Sequence, residues 1–209
     1  MKSSSYLSAV ALLVFALFSP NRSYGHGALH IAFDGSLMIP AGAAYSVTDY
    51  YESDMVFKPL AFSFGRVAVN PASFRPDNGT AYLQAALTQS LMFSFTNGSL
   101  FQLVSVDLAE YSTVVPDAVT VPFVGYRPDG STVAVSFTTD GIMDGTGPLA
   151  DFQTFNFGPE FTGLNMVRIP RSGWSLDNLI LGVPEPATGS LLLGGGLLLG
   201  AWRHRRQRR

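Results

Sequence analysis

From residue 29 onward the chain alternates apolar and polar positions with a period of two, the pattern of strands that bury one face. In "FQLVSVDLAEY", Phe101, Leu103 and Ser105 oppose Gln102, Val104 and Val106, and in "DFQTFNFG" Phe152 stands out of phase with Asp151 and Gln153. The pattern predicts strands at 29–33, 55–58, 61–70, 81–86, 91–96, 101–111, 119–126, 132–138, 152–157, 165–170 and 176–181. Turn residues separate them: Pro76-Asp77-Asn78-Gly79, Asn97-Gly98, Pro128-Asp129-Gly130 and Asp140-Gly141. "YRPDGST" is the clearest hairpin. No stretch of the body keeps a helical period, and no Rossmann or P-loop glycine pattern occurs. About ten antiparallel strands without helices predict an all-β fold, a two-sheet β-sandwich of jelly-roll type.

Two segments break the alternation. At the start, Lys2 precedes an apolar run over 9–18, and small residues follow. This is the layout of a secretory signal peptide, helical and too short to remain as an anchor. The small-x-small frame Ser23-Tyr24-Gly25 assigns 1–25 to the signal and begins the mature chain at His26. At the other end, 187–202 is a second apolar run, about 24 Å long as a helix against a hydrocarbon core of about 30 Å. Gly194-Gly195-Gly196 weakens it further. Arg203, Arg205, Arg206, Arg208 and Arg209 follow, which by the positive-inside rule leaves the body outside and the C-terminus cytoplasmic. Pro184 and Pro186 stop the last strand and keep the junction extended. The layout is thus a signal peptide (1–25), a sandwich (26–183) and a C-terminal segment (184–209), with a short transmembrane helix at 187–202.

Charge and composition narrow the chemistry. There is no cysteine, so disulfides, thiol nucleophiles and cysteine metal sites are excluded. The net charge of −2 conceals an acidic body: 26–183 holds six of the 13 basic and fourteen of the 15 acidic residues. Such a body repels polyphosphate, which argues against nucleic acid, and suits divalent cations. Its only histidines, His26 and His30, lie at the mature N-terminus and read as solvated. No Gly-x-Ser-x-Gly elbow occurs, and the body's glutamates are Glu52, Glu110 and Glu160. The body reads as non-enzymatic.

Pro184-Glu185-Pro186, the apolar span 187–202 and the terminal arginines, in that order, resemble the PEP-CTERM sorting signal of Gram-negative bacteria. The resemblance implies delivery by the general secretion machinery, transient insertion in the membrane, and recognition by an exosortase that releases or transfers the protein to the cell surface. An uncut C-terminal anchor is the alternative. "IAFDG", "DYYESDMVF", "VPFVGYRPDGSTV", "FQTFNF" and "WSLDNLIL" are similar to the body of many PEP-CTERM proteins, itself similar to the galactose-binding-like sandwich of carbohydrate-binding modules. That likeness implies a surface protein associated with exopolysaccharide or biofilm, or a module with a defined sugar groove. It also places Asp177 of "SLDNL" where that family holds structural calcium, with Asp34 as partner.

Two further sets of candidates come from the residues. "DGIMDGTGPLAD" spaces Asp140, Asp144 and Asp151 as an EF-hand loop spaces ligands, although Ile142 stands where an oxygen is needed and strands replace the flanking helices. No cofactor other than calcium is suggested. For sugar contact, Trp174 and the pair Tyr50 and Tyr51 are the aromatic candidates; Trp174 before a final strand also suits a plug in the end of a sandwich.

Overall fold

Alternation becomes strand wherever the apolar phase has a core to face. The computed structural model describes residues 26–34, 44–47, 49–60, 64–67, 75–85, 90–112, 117–142 and 151–184. The segments on which the signal peptide, the apolar span and the arginine cluster fall lie outside the described residues. Among the described residues there are thirteen strands: β1 (His26–Ile31), β2 (Ala44–Val47), β3 (Tyr50–Glu52), β4 (Met55–Pro59), β5 (Phe64–Val67), β6 (Tyr82–Ala85), β7 (Leu91–Phe95), β8 (Gln102–Glu110), β9 (Thr120–Tyr126), β10 (Thr132–Thr138), β11 (Gln153–Asn156), β12 (Met166–Ile169) and β13 (Trp174–Pro184). They belong to one compact unit, His26–Pro184.

The strands form two sheets in which every pairing is antiparallel. Sheet I runs β11-β8-β13-β6-β5-β2, and sheet II runs β10-β9-β12-β7-β4-β3. β13 is the spine of sheet I. One side pairs with β8, while the other pairs with β6 over Trp174–Leu176 and with β1 over Leu179–Pro184. Between the two sheets lies a core of Phe33, Phe57, Phe93, Phe101, Phe123, Phe161, Trp174 and the aliphatic residues around them. Phe57 and Phe93 stack at 5.3 Å within sheet II, and Phe137 of β10 stacks on Phe155 of β11 at 5.0 Å, closing one edge of the sandwich. Each such pair contributes about 0.5–1.5 kcal/mol beyond its buried area.

The hairpins follow their turn chemistry. Arg127–Ser131 joins β9 to β10, with Gly130 at φ 83° and the Arg127 N–H bonded to the Ser131 carbonyl at 2.9 Å. Hydrogen bonds from Ser131 hold the Asp129 carboxyl in this turn below the usual range. Ser53 and Asp54 both have positive φ, 50° and 63°, as a two-residue type I′ turn between β3 and β4 requires.

The alternation leaves out two strands and misjudges one phase. β2 and β3, of four and three residues, are too short to display a period. In β8 the run Phe101, Leu103, Ser105 does not hold: Val104 is exposed, and Val106 and Leu108 join Leu103 in the core. The register between β8 and β13 shifts on either side of Ile180, so a bulge moves the inward phase by one residue. Asn178 has a φ of 46° within the corresponding irregularity of β13. β1 ends at Ile31, not at 33, because Phe33 turns to a φ of 56°. That conformation is costly for a bulky residue, and full burial against Tyr50 and Phe57 offsets it.

Candidate functional site

The outer face of sheet I is polar yet closed to solvent. Alternation turns Tyr82 and Gln84 of β6, Asp107 and Ala109 of β8, and Ser175 and Asp177 of β13 away from the core, yet all six are buried. Residues 75–80 lie over them: the Tyr82 hydroxyl donates to the Pro76 carbonyl at 2.6 Å, and Phe152 meets the Tyr82 ring edge-on at 5.1 Å. Burial raises the Tyr82 phenol far above its ordinary pKa, which keeps it a neutral donor. Gln84 donates to the Tyr111 carbonyl and to Ser175 Oγ, and Arg75 donates to Gln84 Oε1. Asp107 accepts from Thr154 Oγ1 at 2.6 Å and from Asn178 Nδ2 at 2.8 Å, and Asn178 Oδ1 in turn meets His30 Nε2 at 2.8 Å. His30 is thereby tied to the sandwich.

Asp177 lies at the centre of this face with no exposed surface. Its Oδ2 accepts from Asn78 Nδ2 and Thr80 Oγ1, and its Oδ1 accepts the N–H of Asn178. Burial pushes its carboxyl up to about 7, hydrogen bonds from Thr80, Asn78 and Asn178 oppose the rise, and the charge of Asp34 adds to it. Asp34 is exposed and accepts the Ala81 N–H at 3.2 Å. The pairing of Asp34 with Asp177 that the resemblance implies thus falls in the right neighbourhood, but three donors already point at Asp177. Among the described residues no three acidic or histidine side chains cluster to hold a metal.

Of the loop candidates, Asp140 and Asp151 are among the described residues. Asp140 is exposed and its carboxylate accepts the Ile142 N–H at 2.9 Å, whereas Asp151 is buried and accepts the Asp77 N–H at 2.9 Å. Asp144 lies outside the described residues. Glu110 is buried and accepts the Gly141 N–H, and Glu52 accepts from the Ala32 N–H and the Tyr50 hydroxyl. Both Glu52 oxygens are thus engaged, whereas Glu110 Oε2 is buried without a hydrogen-bond partner among the described residues.

Of the aromatic candidates, two are corrected by burial. Trp174 is 0% exposed, with its indole N–H bonded to the Arg171 carbonyl at 2.6 Å, so it presents no ring face to a sugar. Tyr50 faces inward from β3 onto Phe33 and Phe57. Tyr51, one residue on and therefore on the opposite face, is 60% exposed.

Tyr51 opens onto the outer face of sheet II, whose make-up the sequence does not reveal. Strand pairing aligns Tyr51, Val56, Ser94, Met166, Tyr126 and Thr132 in one row. The next row is Lys58, Met92, Arg168, Val124 and Ala134. Apart from Val56, these residues are half-buried or exposed, as an uncovered sheet face requires. Spacing does not single out Lys58, Arg168 or Tyr126, because each is an ordinary outward position on its own strand.

Of the sorting-signal residues, Pro184 ends β13 opposite His26 of β1, while Glu185, Pro186 and Arg203, Arg205, Arg206, Arg208 and Arg209 lie outside the described residues. The body is thus an antiparallel β-sandwich that ends where the Pro-Glu-Pro triplet begins. Residues 182–206 match the family model for the PEP-CTERM protein-sorting motif. No curated protein matches the chain. Among solved structures it is similar to a family 11 carbohydrate-binding module from Clostridium thermocellum in complex with a mixed-linked tetrasaccharide, at 12% identity and a TM-score of 0.31 over 76% of this chain and 96% of that one. It is also similar to the family 32 module of C. perfringens NanJ in complex with galactose, at 15% identity and 0.34 over 66% and 99%. Discoidin II from Dictyostelium discoideum follows at 11% identity and 0.33 over 69% and 55%. At such low scores these likenesses say nothing about this chain's ligand.

Proposed function

We propose that the chain is an exported PEP-CTERM protein that an exosortase sorts to the cell surface or extracellular matrix of a Gram-negative bacterium, where its sandwich acts without catalysis in association with extracellular polysaccharide. The observation that carries this reading is the sorting-motif match at 182–206, which starts inside the last strand of the body. The signal peptide at 1–25, the span at 187–202 and the basic stop supply the route: export, arrest in the membrane with the arginines inside, then processing at Pro184-Glu185-Pro186. Support for a non-catalytic body comes from Glu52 and His30, each held by partners of its own fold. The test is the intact mass of the protein recovered from its native host. Ends near Gly25 and Pro186 are expected; a mass that retains residues 187–209 would replace sorting with a permanent anchor.

A further inference from the structure

The geometry points to the outer face of sheet II as a binding surface for a linear polysaccharide that carries carboxylates. This deepens the reading above, on which it rests for the place where such a polymer would be met. The first observation is segregation of charge. In a body that is acidic by eight charges, Lys58 and Arg168 lie in one row of this face, on either side of Met92. Neither side chain is hydrogen-bonded or ion-paired to another described residue. None of the outward positions of β3, β4, β7, β9, β10 and β12 is acidic: Glu52 turns inward to Tyr50 and Ala32, and Asp49 and Asp54 flank the face at the β3 hairpin. Asp107 and Asp177 belong to the other sheet, about 10 Å away through the core. Their side chains turn to the far side of that sheet, away from sheet II.

The second observation is spacing. Lys58 and Arg168 are two strands apart, about 10 Å between backbones. A single carboxylate reaches both only if the two long side chains fold in over Met92, whereas a chain with repeated acidic groups can meet each where it stands. In the neighbouring row Tyr51 and Tyr126 stand four strands apart, about 19 Å, and each is a diagonal neighbour of one cation. The Tyr51 hydroxyl donates to Asp49 at 3.3 Å, a long bond at the surface that leaves its ring open. A tyrosine offers an apolar ring to a sugar and a hydroxyl to its substituents, while Arg and Lys give charge-assisted hydrogen bonds to its carboxylates. A lipid surface suits this face less, because Val56 is buried, Met92, Val124 and Met166 are half-buried, and Leu60 just past β4 adds a single exposed aliphatic chain at the margin.

The experiment is retention of the full-length chain, purified in non-ionic detergent, on immobilised polygalacturonate, on its methyl ester, and on vesicles containing phosphatidylglycerol. Retention on polygalacturonate that falls at high salt, with none on the ester, is expected. In the Lys58→Gln/Arg168→Gln double variant the affinity should fall about fivefold or more at unchanged melting temperature, and Tyr51→Ala should weaken it further. Equal retention on the ester, an unaltered affinity in the double variant, no retention at all, or retention on vesicles alone would each overturn the assignment. Because purified protein is used, failure here leaves the sorting reading standing, and failure of the mass test leaves this one measurable.

Discussion

The two outer faces of the sandwich differ in what they do with their polar residues. On sheet I, Gln84, Asp107, Ser175 and Asp177 are covered and bonded to one another or to the chain above them. On sheet II, Lys58 and Arg168 meet solvent without a charged partner among the described residues, and Tyr51 reaches only Asp49 beside it. The difference separates structural polarity from available polarity. A buried polar group must be satisfied inside the protein, since an unsatisfied one costs about 1–3 kcal/mol. An exposed one has water as its partner and can exchange it for a ligand at little cost.

That contrast can be broken at several points. The largest expected effect is in the core both faces share: Trp174→Ala should destabilise by about 3–5 kcal/mol, read as a fall in chemical-denaturation midpoint. Next is the pH response of the sheet I face. Because the folded Asp177 carboxyl sits at about 7, above its unfolded value, the native state binds the extra proton. Stability should therefore be greatest below about pH 4 for this group and fall as pH rises through about 7, by up to about 4 kcal/mol. Asp177→Asn should flatten that slope in thermal melts; a slope of the opposite sign would mean that Asp177 is held ionised. If calcium does hold it ionised, a chelator will lower the melting temperature, whereas the donors around Asp177 predict no change.

A smaller effect is expected from Asp107→Ala, which strands Thr154 and Asn178 and should cost about 1–3 kcal/mol in urea unfolding. The smallest belongs to sheet II. Lys58→Gln and Arg168→Gln should each change stability by less than about 0.5 kcal/mol. A larger loss in either would show that the face is structural like its counterpart, and the contrast between the two sheets would disappear.

Much of the fold is legible in the sequence. Each predicted strand of the body has a counterpart among the described strands, because alternation and turns such as Pro128-Asp129-Gly130 mark it, although 61–63 and 68–70 lie outside the described residues. The resemblance to carbohydrate-binding sandwiches also implies Asp34 near Asp177, whose carboxyl feels its charge. What escapes is of another kind. The phase slip in β8 comes from a bulge imposed by β13, and a single strand carries no record of its partner's register. Trp174 and Tyr50 are aromatic residues with two plausible destinations, and only packing chooses the core for both. Lys58 and Arg168 are 110 positions apart along the chain and become a pair only when β4, β7 and β12 align.

Local composition and spacing suffice for the all-β character, the acidic balance and the C-terminal sorting motif, because each is a property of a contiguous stretch of residues. Which polar residues are sealed beneath residues 75–80 and which stay open is written in no such stretch. It follows from strand order and from what covers each sheet, and both arise only when segments distant along the chain are packed together.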